Sequence, residues 1–171
     1  MGLLGVIYIL LLLTNIVCVI IGKRFKIISY TTLIFIILFI SGIRYNGSIV
    51  GYDLRNYEIM YQNADLISDI GFRFINKLGN SIGMTFEEFY MFIVTICMSL
   101  IFYRARKLKA NMHLVAIAYL IYFINPASSQ LRNLCAVTVF FQMFPLHTEF
   151  SNKHFIKEFV LTTIAATFHM S

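Results

Sequence analysis

In IRYNGSIVGYDLRNY (43–57), an arginine, an aspartate and several tyrosines follow directly on the apolar run IFIILFIS (34–41). Arg44 has two readings: an anchor whose guanidinium snorkels to the membrane surface, or a planar fork that grips a phosphate. Asp53 either caps a helix, acts as a base, or orients a partner arginine. Tyr57 and Tyr61 are four residues apart and share one face of a helix. They serve either as interface aromatics or as platforms for sugar rings. Arg132 follows NPASSQ (125–130) and heads an otherwise apolar run with no carboxylate close by in sequence. Arginine at or near membrane depth is costly, so it takes a partner or a ligand. Gln130 and Asn133 flank it and add polar contacts. His169, in IAATFHMS (164–171), has the chemistry to give or take a proton near neutral pH. His113, His147 and His154 lack the spacing of metal ligands. A set of two arginines, an aspartate, two tyrosines and a histidine suits an anionic, phosphate-bearing lipid with a polar head.

The elements that must position these residues follow from composition. The chain has 171 residues, 59% of them hydrophobic. Only 13% are charged, against roughly 25% in soluble domains, too few to clothe a soluble surface. An all-α, polytopic membrane bundle follows. Apolar runs at 3–21, 27–43, 89–103, 113–125, 131–146 and 155–170 give about six spans, the last three short or interrupted. The first run has neither a basic flank before it nor a small-residue cleavage site after it, which argues against a signal peptide. Cys18, Cys97 and Cys135 all sit in apolar runs, where cysteine packs as a small hydrophobe. They suggest neither disulfides nor a metal site.

The net charge of +6 does not point to nucleic acid. Nine of the fourteen basic residues fall in the turns 22–26, 104–111 and 147–157. The alternate segments, 44–88 and 126–132, are poor in net positive charge. By the positive-inside rule the N-terminus, the 44–88 loop, the 126–132 turn and the end near His169 are expected outside. The chain then divides into two spans (1–43), an outer loop (44–88) and about four further spans (89–171). A loop as long as 44–88 is expected to carry structure of its own. DLRNYEIMYQNA (53–64) reads as a helix with Asp53 as its cap. GFRFINKLGNSIG (71–83) reads as an interfacial helix, with Phe74, Leu78 and, more loosely, Phe72 and Ile75 on one side and Arg73, Asn76, Lys77 and Asn80 on the other. TFEEF (85–89) has the spacing of a capping box, Thr85 to Glu88.

Four pieces in order carry a family resemblance: IRYNGSIVGYDLRNYEIMY (43–61), DIGFRFINKL (69–78), LRNLCA (131–136) and AATFHMS (165–171). The chain resembles the EpsG-like, Wzy-type polysaccharide polymerases from about residue 40 onward. The family pattern places an arginine at the end of an early span, then G-x-D-x-x-x-Y. An acidic-x-G-F segment, an R-Q-x-x-A span start and an A-x-x-F/L-H-x-S stretch follow. The resemblance implies catalytic roles for Asp53, Arg132 and His169. It implies substrate contacts from Arg44, Tyr57, Tyr61, Asp69, Arg132 and Asn133. Asp69 stands where the family usually has Glu, and Asn133 where it usually has Gln.

The implied activity joins polyprenyl-diphosphate-linked oligosaccharide repeats at the outer face of a bacterial cytoplasmic membrane, building exopolysaccharide, capsule or O-antigen. It needs no cofactor, metal or nucleotide sugar. Its implied partners are the lipid-linked oligosaccharide, membrane lipid, a flippase and a chain-length regulator. Family members are longer, so the chain is expected to be the N-terminal half of a polymerase. Other classes remain open. A flippase for the same lipid would carry polar residues through the bilayer midplane. A multi-span O-acyltransferase would carry an early histidine, and none precedes His113. A non-catalytic membrane remnant would tolerate loss of Arg132 and His169.

Overall fold

The computed structural model describes residues 3–22, 25–45, 52–123, 130–143 and 152–168, and every regular element among them is helical. The helices are α1 (Leu3–Ile21), α2 (Lys26–Tyr45), α3 (Tyr52–Gln62), α4 (Ile70–Ser81), α5 (Phe86–Lys107), α6 (Met112–Ala118), α7 (Leu131–Phe141) and α8 (Asn152–Phe168). A 3-10 turn, Ala64–Leu66, links α3 to α4, and α6 runs on into a π-turn, Tyr119–Phe123.

A helix stands on each of the six apolar runs. At 22 residues and 1.5 Å per residue, α5 is about 33 Å long, the thickness of a bilayer core. Among the described residues it alone is both long and apolar enough to span, so the six-span count stays an expectation. Surface chemistry points the same way as α5. Leu10, Leu13, Val17 and Ile20 on α1 and Ile27, Ile34 and Leu38 on α2 are all exposed, an extent of bare apolar surface that water-soluble monomers avoid.

Local signals explain why α5 starts and stops where it does. Thr85 Oγ1 accepts from the Glu88 amide at 3.3 Å, and the Thr85 amide donates to Glu88 Oε2 at 2.8 Å. This is the capping box that TFEEF predicts. Acidic Glu87 and Glu88 sit in the first turn, and Arg104, Arg106 and Lys107 in the last, each sign matched to the helix dipole. α5 is the hub of the bundle, packed against α2, α6 and α7. Val94, Met98 and Ile101 on α5 are fully buried.

The segment that carries α3 and α4 folds onto that hub. α4 approaches α5 closely at Gly79, where an added Cβ would lie 2.6 Å from Phe89 Cδ2 and 2.9 Å from the Tyr61 hydroxyl. α4 also meets α8 at Gly71, where a Cβ would come within 3.1 Å of Thr167 Cβ. These approaches reorganise the faces of α4. The expected polar side is not wholly solvated: Asn76 is buried with Phe72 and Gly79 against the bundle. Ile70, Phe74, Leu78 and Ile82 form an exposed apolar stripe at four-residue spacing. Such a stripe suits a helix lying in the interface.

Two further differences from the sequence reading concern α3 and α6. α3 opens at Tyr52, so Asp53 falls inside its first turn rather than before it. The run 113–125 is an α-helix only to Ala118 before widening into the π-turn. Tyr8 of α1 donates its hydroxyl to the Leu120 carbonyl in that turn at 2.9 Å, supplying a donor where the backbone pattern changes. Below it, Asn15, Thr32 and His113 tie α1, α2 and α6 together. Asn15 Nδ2 donates to Thr32 Oγ1 at 2.8 Å, and Asn15 Oδ1 lies 2.8 Å from His113 Nδ1.

Candidate functional site

α7 begins at Leu131 because the polar stretch before it gives way to LRNLCAVTVFF. Arg132 is therefore in its first turn. α4 begins one residue after Asp69, which occupies the N-cap position without making a side-chain cap. Its carboxylate turns instead to α7: Asp69 Oδ2 accepts from Arg132 Nη1 at 2.5 Å. This answers the question that Arg132 poses in the sequence. Its carboxylate partner is 63 residues away in the chain and is delivered by the fold of the segment that carries α3 and α4.

The pair is unequally buried. The Asp69 side chain is 0% exposed and that of Arg132 24%. Tyr57 of α3 completes the cluster. Its hydroxyl lies 3.5 Å from Arg132 Nε, and its ring centroid 5.8 Å from the guanidinium carbon. Phe72 of α4 braces Tyr57 edge-on at 5.6 Å. The guanidinium is thus oriented by a carboxylate, a phenol and a ring face. A guanidinium has five N–H groups, so donors remain on its exposed side for a second oxyanion.

A cavity of about 290 Å³ opens between α4, α5, α7 and α8, lined by Gly79, Phe89, Ile93, Cys97, Cys135 and Phe168 among others. Its α7 wall includes Cys135, Thr138 and Val139, at helical spacing below Arg132. Its lining is almost wholly apolar. A polar cluster of Arg132, Asp69 and Tyr57 therefore stands one turn above an apolar cleft on the same helix.

Tyr61 and Asn133 have other partners. Tyr61 is buried in the seam between α3 and α5. Its ring stacks on Phe89 at 4.7 Å, and its hydroxyl donates to the Met84 carbonyl at 2.9 Å. Burial and the nearby Glu88 carboxylate raise its pKa, which keeps that donor proton in place. Asn133 turns back to Gln130, donating to its side-chain oxygen at 2.6 Å. Arg44 is in the last turn of α2 and Asp53 in the first turn of α3. The side chains of both lie outside the described residues, as does His169. Thr167, two residues before His169, packs on Gly71, two residues after Asp69.

The residues alone did not point to Phe72 as a brace, nor to Gly71 and Gly79 as contact points. The glycines are legible only as breaks in an amphipathic pattern. Cys18, Cys97 and Cys135 are buried and unbridged. Among the described residues no cluster of three metal-ligating side chains occurs.

An all-helical bundle with exposed apolar faces and, among the described residues, one helix long and apolar enough to cross a bilayer points to a helical membrane protein, with an ion pair held at the head of α7. The chain belongs to the EpsG family, a Wzy-type polymerase family, whose sequence model matches residues 27–171. No curated protein and no solved structure matches it.

Proposed function

We propose that this chain forms the outer-face substrate site of a polymerase that joins polyprenyl-diphosphate-linked oligosaccharide repeats. The observation that carries this reading is Arg132. It is oriented by buried Asp69, still has donors to offer, and heads the helix that walls an apolar cleft. That combination suits an amphiphile with a phosphate-bearing head and a hydrocarbon tail. Family membership supports a polysaccharide polymerase role.

In the proposed reaction an acceptor sugar hydroxyl attacks the anomeric carbon of a lipid-linked chain. The new C–O glycosidic bond forms as the bond from that carbon to the diphosphate oxygen breaks. The diphosphate leaves with the electron pair. Arg132, with Arg44, meets the charge that develops on it; fixed cationic donors act best where charge builds in the transition state. Asp53 or His169 takes the hydroxyl proton. Asp69 and Tyr57 position Arg132, and Asn133 contacts substrate only by exchanging its hydrogen bond to Gln130. In this reading the N-terminus and the 44–88 segment face outward from a bacterial cytoplasmic membrane.

The test is Arg132→Lys at the chromosomal locus, with protein level followed by immunoblot. Lysine keeps the charge but loses the planar fork. Loss of one preorganised donor is expected to reduce the polymerisation rate about a hundredfold, with short polymer and accumulated single-repeat lipid. Normal polymer length from normally abundant Arg132→Lys protein refutes the assignment.

A further inference from the structure

The opposite end of the bundle holds a larger cavity that the proposed polymerase site does not use. It is about 460 Å³ and lies between α2, α5 and the start of α6, within the size range of small-ligand sites. Leu33, Phe102 and Met112 supply apolar walls, while Lys26, Arg106 and Lys109 bring three cations to it. No acidic side chain lines it among the described residues. Three like charges around one cavity repel one another unless an anion sits between them.

Two details show that the cavity is built for a polar head at one end. Arg106 Nη1 donates to the Tyr30 hydroxyl at 2.5 Å, which pins the guanidinium on the α2 side of the cavity. His113 also lines it and is only 2% exposed. Its Nδ1 is engaged by Asn15, while Nε2 is buried and has no hydrogen-bond partner among the described residues. A buried nitrogen left unpaired is costly. Because Asn15 Oδ1 accepts from Nδ1–H, Nε2 is an acceptor, and a ligand hydroxyl donating to it would satisfy it.

We propose that this cavity binds the headgroup of an anionic membrane phospholipid. Its phosphate sits among Lys26, Arg106 and Lys109, a headgroup hydroxyl reaches toward His113, and its acyl chains lie along Leu33 and Phe102. Basic pockets between membrane helices take such headgroups. A lipid rather than a free anion is favoured because the walls are apolar and α2 and α5 carry exposed apolar side chains beside it, Tyr30 and Tyr103 included. The proposal does not depend on the polymerase reading.

The test is native mass spectrometry of the full chain in detergent, titrated with phosphatidylglycerol or phosphatidylcholine. The wild type is expected to retain one phosphatidylglycerol at least tenfold more readily than phosphatidylcholine. The double variant R106Q/K109Q changes two exposed side chains and is expected to lose that preference by ~10-fold or more, each basic residue contributing several-fold. K107Q removes a neighbouring α5 cation that does not line the cavity and is expected to keep it. Circular dichroism checks that the variants remain helical.

Equal retention of both lipids by the wild type overturns the proposal. Unchanged preference in R106Q/K109Q overturns it too. A K107Q effect as large as that of the double variant assigns the preference to diffuse surface charge and overturns the site. Displacement of phosphatidylglycerol by inorganic phosphate at equal concentration overturns the lipid assignment in favour of a soluble phosphorylated ligand.

Discussion

The Arg132–Asp69 pair predicts an asymmetry that a simple salt bridge would not show. Asp69 is fully buried, whereas Arg132 keeps about a quarter of its side chain exposed. Arg132→Gln leaves a buried carboxylate without the guanidinium that neutralises it, and breaking a buried pair in this way costs about 3–5 kcal/mol. Asp69 makes interactions beyond this pair, so the lower end, about 3 kcal/mol, is expected. Asp69→Asn leaves a partly exposed guanidinium that water can reach. Its cost is that of one charge-assisted hydrogen bond, about 1.5 kcal/mol. The double variant places two amides face to face and removes both charges. It is expected to be about 1–2 kcal/mol more stable than the sum of the single changes implies. Unfolding free energies from SDS titration in mixed micelles measure all three. An Asp69→Asn cost equal to or above that of Arg132→Gln refutes the burial argument. Additive costs refute the direct pairing.

Other changes separate the elements that hold the site. Gly79→Ala forces a methyl against Phe89 and Tyr61 and is expected to cost about 1–3 kcal/mol as overpacking, read in the same titration. Thr85→Ala removes the acceptor of the α5 capping box and is expected to cost about 1 kcal/mol, with amide exchange rising first at 86–89. Lys77 holds the Asp65 carboxyl below its ordinary pKa, chiefly by a hydrogen bond and then by charge. The stabilisation from this exposed pair is present above the unfolded-state pKa and is lost as pH falls through the folded one. Asp65→Asn is expected to flatten a small acid-side decline in melting temperature, and an unchanged pH profile would refute the pair's contribution.

Much of the helical framework is legible in the chain because it rests on local chemistry. Apolar runs call for helices whose backbone groups bond internally, and helices stand over all six. The Thr85 capping box is contained within four residues and appears as read. Arg132 could be singled out from sequence because a guanidinium opening an apolar helix needs an explanation. Its position is local information. Its partner is not.

Only the tertiary structure brings Asp69 to Arg132, since pairing residues 63 apart depends on where α4 settles. α4 settles where two glycines let it approach α5 and α8, and that same approach buries Asn76, which helical periodicity alone puts on the solvated side. Likewise, His113 is one histidine among four in sequence, yet folding places it at once on Asn15 and in a basic cavity. Residue type and spacing determine which helices form and which of their groups cannot be left unpaired. The close packing of those helices decides which group meets which, because contact distance depends on every intervening element at once.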